Sequence, residues 1–315
     1  MNRESFSFVD PSDLSPEAFI PLLSNVRSRF RKIFGGMRIY TPSGKQVKIE
    51  IKFQKSDLKN LSGNVDRISK DPAVYRITYN TALLYHLLVA SQRIIDSHHN
   101  KLLIYSGECN FNNREVEVLR AKTLKAALWL SIDFVILHEF SHVFLGHIDY
   151  SYDEEQFTSD EISIRKVFEA DADRHAGKLL IAFFDLSLNT SNLQSDLLFS
   201  SRLSAYGFYT YLITSMFGVF QDLDKQGDDT HPRSNERMYI VIDRLLRYCK
   251  EHYPLEHDSI CFHVLASTLL ASKEFAVTDA IDFSKMVEHI NNLKFFDEMI
   301  ENTKIRRYEH KIEMR

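Results

Sequence analysis

Two periods of apolar spacing run along this chain of 315 residues. A period near two, the mark of a half-buried strand, spans Met37 to Phe53 around Thr41-Pro42-Ser43-Gly44 and predicts a β-hairpin. It returns in Val74 to Tyr79 and in Leu102 to Tyr105, two further short strands. The helical period fills most of the rest. Ser15-Pro16 opens a helix that Gly35-Gly36 ends, by cap logic at both termini. Asn80 caps a helix carrying Leu83, Leu84, Leu87 and Leu88, and a long helix is expected over about Thr123 to Gly146. The acidic, aromatic stretch Tyr150 to Gln156 reads as a loop bordering a cleft. Thr158-Ser159-Asp160-Glu161 then reads as a capping box that opens the next helix. Beyond Glu236 the pattern predicts helix to the end of the chain, the last one from about Ile281. The fold class expected is a helix-rich α+β protein in three regions, 1–70 (helix and hairpin), 71–250 (the main domain) and 251–315 (a helical C-terminal extension).

The long helix carries the chemistry. Ala126 to Leu137 is apolar on nearly every side, broken only by Ser131 and Asp133, and it leads into His138-Glu139-Phe140-Ser141-His142. Residues four apart share a helix face, so His138 and His142 aim two imidazoles at one point. Glu139 is rotated by about 100° and still reaches a water held there. Two histidines and a glutamate inside a buried helix need partners, because unpaired buried polar groups are costly. A zinc ion satisfies all three, and the general base beside it points to a metal-dependent hydrolase.

Catalytic zinc takes three protein ligands and keeps one open position. His147 is one candidate. A helix running to Gly146 would point it away from the other two histidines, and the spacing misses the H-E-x-x-H-x-x-G-x-x-H pattern at Leu145 and Ile148. Glu169 is the better candidate. It shares a face with Asp173 on the next predicted helix, where Ala170, Ala172 and Ala176 allow close approach. Glu169 completes a ligand set of two histidines and one glutamate, and Asp173 can fix the tautomer of a ligating histidine.

Composition narrows the partners. A formal net charge of −4 gives no basic field for nucleic acid. The clusters Arg27, Arg29, Arg31, Lys32 and Lys304, Arg306, Arg307, Lys311, Arg315 read as solvated helix faces. The three cysteines, Cys109, Cys249 and Cys261, have neither metal-site spacing nor an even number, so free thiols in a reducing compartment are expected. With no signal-peptide pattern in Met1 to Pro21, the expected location is cytoplasmic. Leu203 to Gln221 approaches the length of a membrane span, but its Ser, Thr and Tyr content favours a buried core helix over membrane contact.

The motif and its sequel resemble the gluzincin metallopeptidases. His138 to His142 followed by Glu169-x-x-x-Asp173, and then Thr230-His231-Pro232-Arg233-Ser234-Asn235-Glu236-Arg237, is similar to the HtpX and CAAX-prenyl protease family. There the matching histidine and arginine lie near the catalytic centre, which implies that His231 and Arg237 help stabilise the reacting substrate. Read as residues alone, Thr230 is an N-cap, Pro232 sits in the first helical turn and Arg237 is a surface cation. The chain lacks the multiple membrane spans of that family. His138 to His142 followed by Gly146-His147 also resembles the Lit-type phage-exclusion peptidases, which act inside bacterial cells on a protein substrate. These resemblances imply a zincin-like metallopeptidase domain with Zn²⁺ as cofactor and a protein or peptide substrate, in bacterial phage defence or stress response. Two alternatives stand beside that reading. One is a regulatory, partner-binding protein on a peptidase fold with structural zinc; the other is a dedicated protease of one repressor or antitoxin. Glu139 favours an enzyme, since a structural zinc site has no use for a general base.

Overall fold

The computed structural model describes residues 24–31, 34–54, 63–102, 113–153, 161–190, 201–224, 232–274, 298, 300–301 and 305–314. Helix α1 covers residues 24–31. Strands β1 (Met37–Tyr40), β2 (Val47–Gln54), β3 (Gly63–Ser69) and β4 (Ala73–Asn80) follow. The helices come next: α2 (Thr81–Leu102), α3 (Asn113–Phe144), α4 (His147–Asp153), α5 (Glu161–Thr190), α6 (Arg202–Asp224), α7 (Ser234–His252) and α8 (His257–Glu274). A 3-10 turn (Ile305–Tyr308) and β5 (Lys311–Met314) complete the order.

Helix α3 is the axle. Phe134 and Leu137 pack into a cluster with α5, α6, α7 and α8. Leu128, Ile132 and Ile136 face α1, β4 and α2, Ala127 meets α2, α6 and α8, and Phe140 and Val143 pack under β1, β2 and β4. A helix apolar all round is a helix buried all round. Val116–Phe144 is long and apolar enough to cross a membrane, and 72% of its apolar window is covered by protein. The stretch singled out in the sequence for the same question, Leu203 to Gln221, lies in α6, whose Tyr206, Tyr209, Ile213, Met216 and Phe217 are buried in the central cluster.

The strands depart from the expected hairpin. The Thr41–Lys45 turn forms, with Gly44 at φ 83° and Thr41 N donating to Lys45 O at 2.8 Å, but β1 and β2 share only the bridge Tyr40↔Gln46. β2 runs parallel to β4, with Val47 opposite Ala73 and Gln54 opposite Asn80. β3 pairs with β4 antiparallel, so the sheet order is β2-β4-β3. β1 instead pairs with β5, Met37 opposite Met314. Alternation identifies a strand but not its partner, which is why a local turn suggested the wrong pairing.

Other expectations are corrected in the same way. The chain is not helical to its end, because residues 305–308 form a 3-10 turn and 311–314 a strand. β3 and β4 pair across residue 70, and α7 runs through residue 250. Tyr150 to Asp153 is helical rather than loop. The helix bearing His138 and His142 begins earlier than expected, at Asn113. Arg29, its side chain still 38% exposed, lies over the Trp129 ring and pairs with Asp133. The expected strand at 103–105, the capping residues 158–160 and Cys109 lie outside the described residues, as does most of the first helix.

One buried carboxylate clips three helices together. Asp185 of α5 accepts hydrogen bonds from the hydroxyls of Tyr206 (2.8 Å), Tyr248 (3.0 Å) and Tyr253 (2.7 Å). Removing it strands three donors that it satisfies. Asp185→Ala is expected to lower unfolding free energy by about 2–4 kcal/mol, read as a fall in the urea midpoint at unchanged m-value.

Candidate metal centre

His138 and His142 stand one turn apart on α3, their ring centroids 4.9 Å apart. α5 crosses this face and brings Glu169 to both rings. Glu169 Oε2 lies 3.0 Å from His138 Nε2, and its Oε1 lies 3.4 Å from His142 Nε2. The two Nε2 atoms are 3.2 Å apart. Both histidines are buried, at 6% and 8% exposure. Ala170, Ala172 and Ala176 are fully buried, so α5 carries its carboxylates inside the packing. One turn beyond Asp173 on α5, Gly177 lets α7 approach, since a Cβ there would sit 3.3 Å from the Val241 backbone.

The outward-facing nitrogens of both rings are also engaged. His138 Nδ1 lies 2.8 Å from Asp173 Oδ1. Asp173, with no exposed surface, also accepts from Arg237 Nε at 2.7 Å and Nη2 at 2.9 Å. α7 supplies that arginine from its first turn, where the Glu236 carboxylate accepts from Arg233 N–H at 2.9 Å. His142 Nδ1 lies 3.0 Å from His147 Nδ1, and His147 Nε2 lies 3.3 Å from Asp171 Oδ2. His147 and Asp171 were not read this way from the sequence. A positive-φ turn at Gly146 folds His147 back toward His142, and no helical-face argument foresees that. Asp171 lies two residues from Glu169, well round the helix from its face, so the same spacing logic passed it over.

Glu139 sits on the third side. Its carboxylate lies under the start of β3, where a Cβ on Gly63 would stand 2.7 Å from Glu139 Oε1. Burial raises the Tyr79 hydroxyl pKa well above its ordinary value, and the nearby Glu139 carboxylate adds to the effect. His231 lies outside the described residues.

A family model for peptidase U49 matches residues 89–252, more than half of the 315 residues. The chain belongs to the peptidase U49 family. No curated protein and no solved structure matches. Membership makes this chain a peptidase, a hydrolase whose substrates are proteins or peptides. It agrees with the Lit-type likeness and leaves the HtpX likeness resting on the motifs alone. The matched stretch contains every element of the site just described except β3 and β4.

Whether this U49 centre suits a metal can be judged from its donors. Asp173 is an ionised acceptor, so His138 Nδ1 carries the proton between them and Nε2 presents a lone pair. With His142 Nδ1–H donating to His147, its Nε2 does the same. With both rings neutral, two lone pairs and a carboxylate converge, a donor set that fits a cation; without one, a proton on His138 Nε2 would serve Glu169. Zinc bonds of about 2.0–2.2 Å define a tetrahedron with edges of about 3.3–3.6 Å, and the three observed separations run from 3.0 to 3.4 Å. The local field agrees. Burial opposes charge on His138, yet Asp173 and Glu169 outweigh it and push its pKa up to about 10. Burial also opposes charge on Asp173, but Arg237 and His138 hold its carboxyl below the usual range.

Replacing Asp173 leaves Arg237 and His138 without their carboxylate inside the protein. Asp173→Ala is therefore expected to destabilise the fold by about 3 kcal/mol even with a chelator present. Chemical denaturation of wild type and variant in excess chelator measures it.

Proposed function

We propose that this U49 peptidase is a zinc-dependent endopeptidase on a zincin-like fold, with His138, His142 and Glu169 as ligands. The observation that supports the reading is the convergence of those three donors at 3.0–3.4 Å, at or just under a tetrahedral edge, while both remote imidazole nitrogens are engaged. A bound zinc supplies Lewis acidity toward water and the scissile carbonyl. Glu139 does the proton work. Its carboxylate, one residue from a ligand and half-buried, takes a proton from the attacking water and hands it to the leaving amine. Asp173 holds the His138 ring in orientation and tautomer, and Arg237 holds Asp173. Arg237 thus acts through the ligand shell in this reading, while His231 remains the candidate donor to the oxyanion by resemblance.

Strand β3 supports a place for the substrate backbone. It is the outer strand of its sheet, with β4 on one side and no strand on the other among the described residues. It begins at Gly63 directly over Glu139. An extended peptide added along that edge would pass the base with its carbonyls presented. The free thiols of Cys249 and Cys261 and the Lit-type likeness favour action inside the cell, in a defence or stress setting.

Glu139→Gln is expected to retain stoichiometric zinc and lose turnover by about 10²–10⁴-fold. His142→Ala should lose both metal and activity. Zinc analysis together with a proteome-wide comparison of new termini between wild type and Glu139→Gln provides the test. Zinc-loaded wild type that generates no terminus absent from Glu139→Gln would overturn the endopeptidase reading. Gly63→Ala crowds the Glu139 side chain, so its expected signature is a fall in kcat of about tenfold with zinc content unchanged.

A further inference from the structure

Gly146 ends α3 at φ 77°, a conformation in which a side chain is strained. The turn sends His147 back under the helix it has just left. There the ring is 1% exposed and stacks on Phe168 of α5, centroids 4.6 Å apart. Its two nitrogens join a zinc ligand to a carboxylate, His142 Nδ1 at 3.0 Å on one side and Asp171 Oδ2 at 3.3 Å on the other.

The C-terminal segment closes on the same turn. Arg306, in the 3-10 turn, reaches both oxygens of Asp171 at 3.3 Å. The Tyr308 backbone lies so close to Gly146 that a Cβ there would stand 2.4 Å from its carbonyl oxygen. The backbone N–H of His310 donates at 2.8 Å to Phe144 O, the last residue of α3. β5 then pairs with β1. A segment more than 160 residues away in sequence therefore caps the metal helix and touches the acid at the end of the histidine relay.

With both rings neutral, one placement of protons satisfies this relay. An ionised Asp171 beside Arg306 accepts but cannot donate, so His147 must present Nε2–H to it. A neutral His147 then has a lone pair on Nδ1 and accepts from His142 Nδ1–H. That leaves the His142 Nε2 lone pair facing the site, as a metal ligand requires. A proton on His147 Nδ1 instead would set a bare Nε2 lone pair against the carboxylate.

We propose that His147 is a positioning residue for the zinc ligand His142, and that residues 305–314 form the clamp holding it, with Arg306 acting through Asp171. The inference rests on the zinc reading of the site and adds a remote control of its affinity.

The test is zinc affinity and release in the full chain, by competition with a chromogenic chelator, backed by the visible spectrum of the cobalt-loaded protein. His147→Ala is expected to weaken zinc about 10–100-fold, the usual loss on removing a group that orients a ligand, with faster release and a shifted cobalt spectrum. His147→Asn, which can still accept from His142, is expected to recover most of the affinity, whereas His147→Leu is not. Arg306→Gln is expected to weaken zinc by about three- to tenfold, at the low end of such effects. It decides the matter if the His147 variants do not fold. Wild-type affinity and release rate in folded His147→Ala, or in Arg306→Gln, would overturn the proposal while leaving the zinc site standing. A wild-type protein that binds no zinc would overturn both.

Discussion

The fold is built around placing charge inside a core. α3 is buried along most of its length, and α5 meets it with fully buried alanines. The polar side chains the two helices carry at their crossing have little water to turn to. His138, His142, Glu169, Asp171 and Asp173 must satisfy one another, because each unpaired member would cost a large fraction of a typical domain's net stability. Both imidazoles end with the outward nitrogen engaged and the inward nitrogen turned toward Glu169. The helices could not separate or slide by a turn without exposing several unmatched groups together, so the geometry suited to a metal and the geometry that holds the core are the same.

Which parts of this site were legible in the sequence follows from what helical spacing can encode. His138 with His142, and Glu169 with Asp173, are four apart, so each pair shares a face whatever the rest of the protein does. Their meeting needed only that two apolar helices pack together. His147 was set aside as a ligand on the same logic, and the three convergent donors do not include it; what spacing could not show is that α3 ends at Phe144 and the chain turns back at Gly146. Gly146 was the available signal, since glycine after a helix marks such a turn. What the turn would bring together depended on Phe168, Asp171 and a C-terminal arginine, none of them local.

The strands show the same limit more plainly. β4 was read almost to its ends, Val74 to Tyr79 against Ala73–Asn80, because its alternation and its cap at Asn80 are local facts. Its neighbours were not legible. β2 joins it in parallel and β1 waits for β5, at the opposite end of the described chain. The C-terminal charges, taken as a solvated face, include Arg306 on Asp171. A charge run in sequence says how much charge must be solvated, and a buried carboxylate elsewhere can do that as well as water can.

In the proposed zinc site a ligand and a base make opposite demands, and α3 would meet both within five residues. A ligating imidazole must keep one ring orientation and one tautomer, so His138 and His142 are each backed by a carboxylate or a histidine that is itself held, by Arg237 on one side and by Asp171 on the other. A general base must change its protonation state within each turnover. Glu139, half-buried, lies under the start of β3, where a Cβ on Gly63 would stand 2.7 Å from its Oε1, and its charge reaches the Tyr79 hydroxyl. The glycine leaves room for the carboxylate at an outer strand of the β2-β4-β3 sheet. Adjacent positions on one helix thus acquire different chemistry, because α5 faces one of them and β3 faces the other.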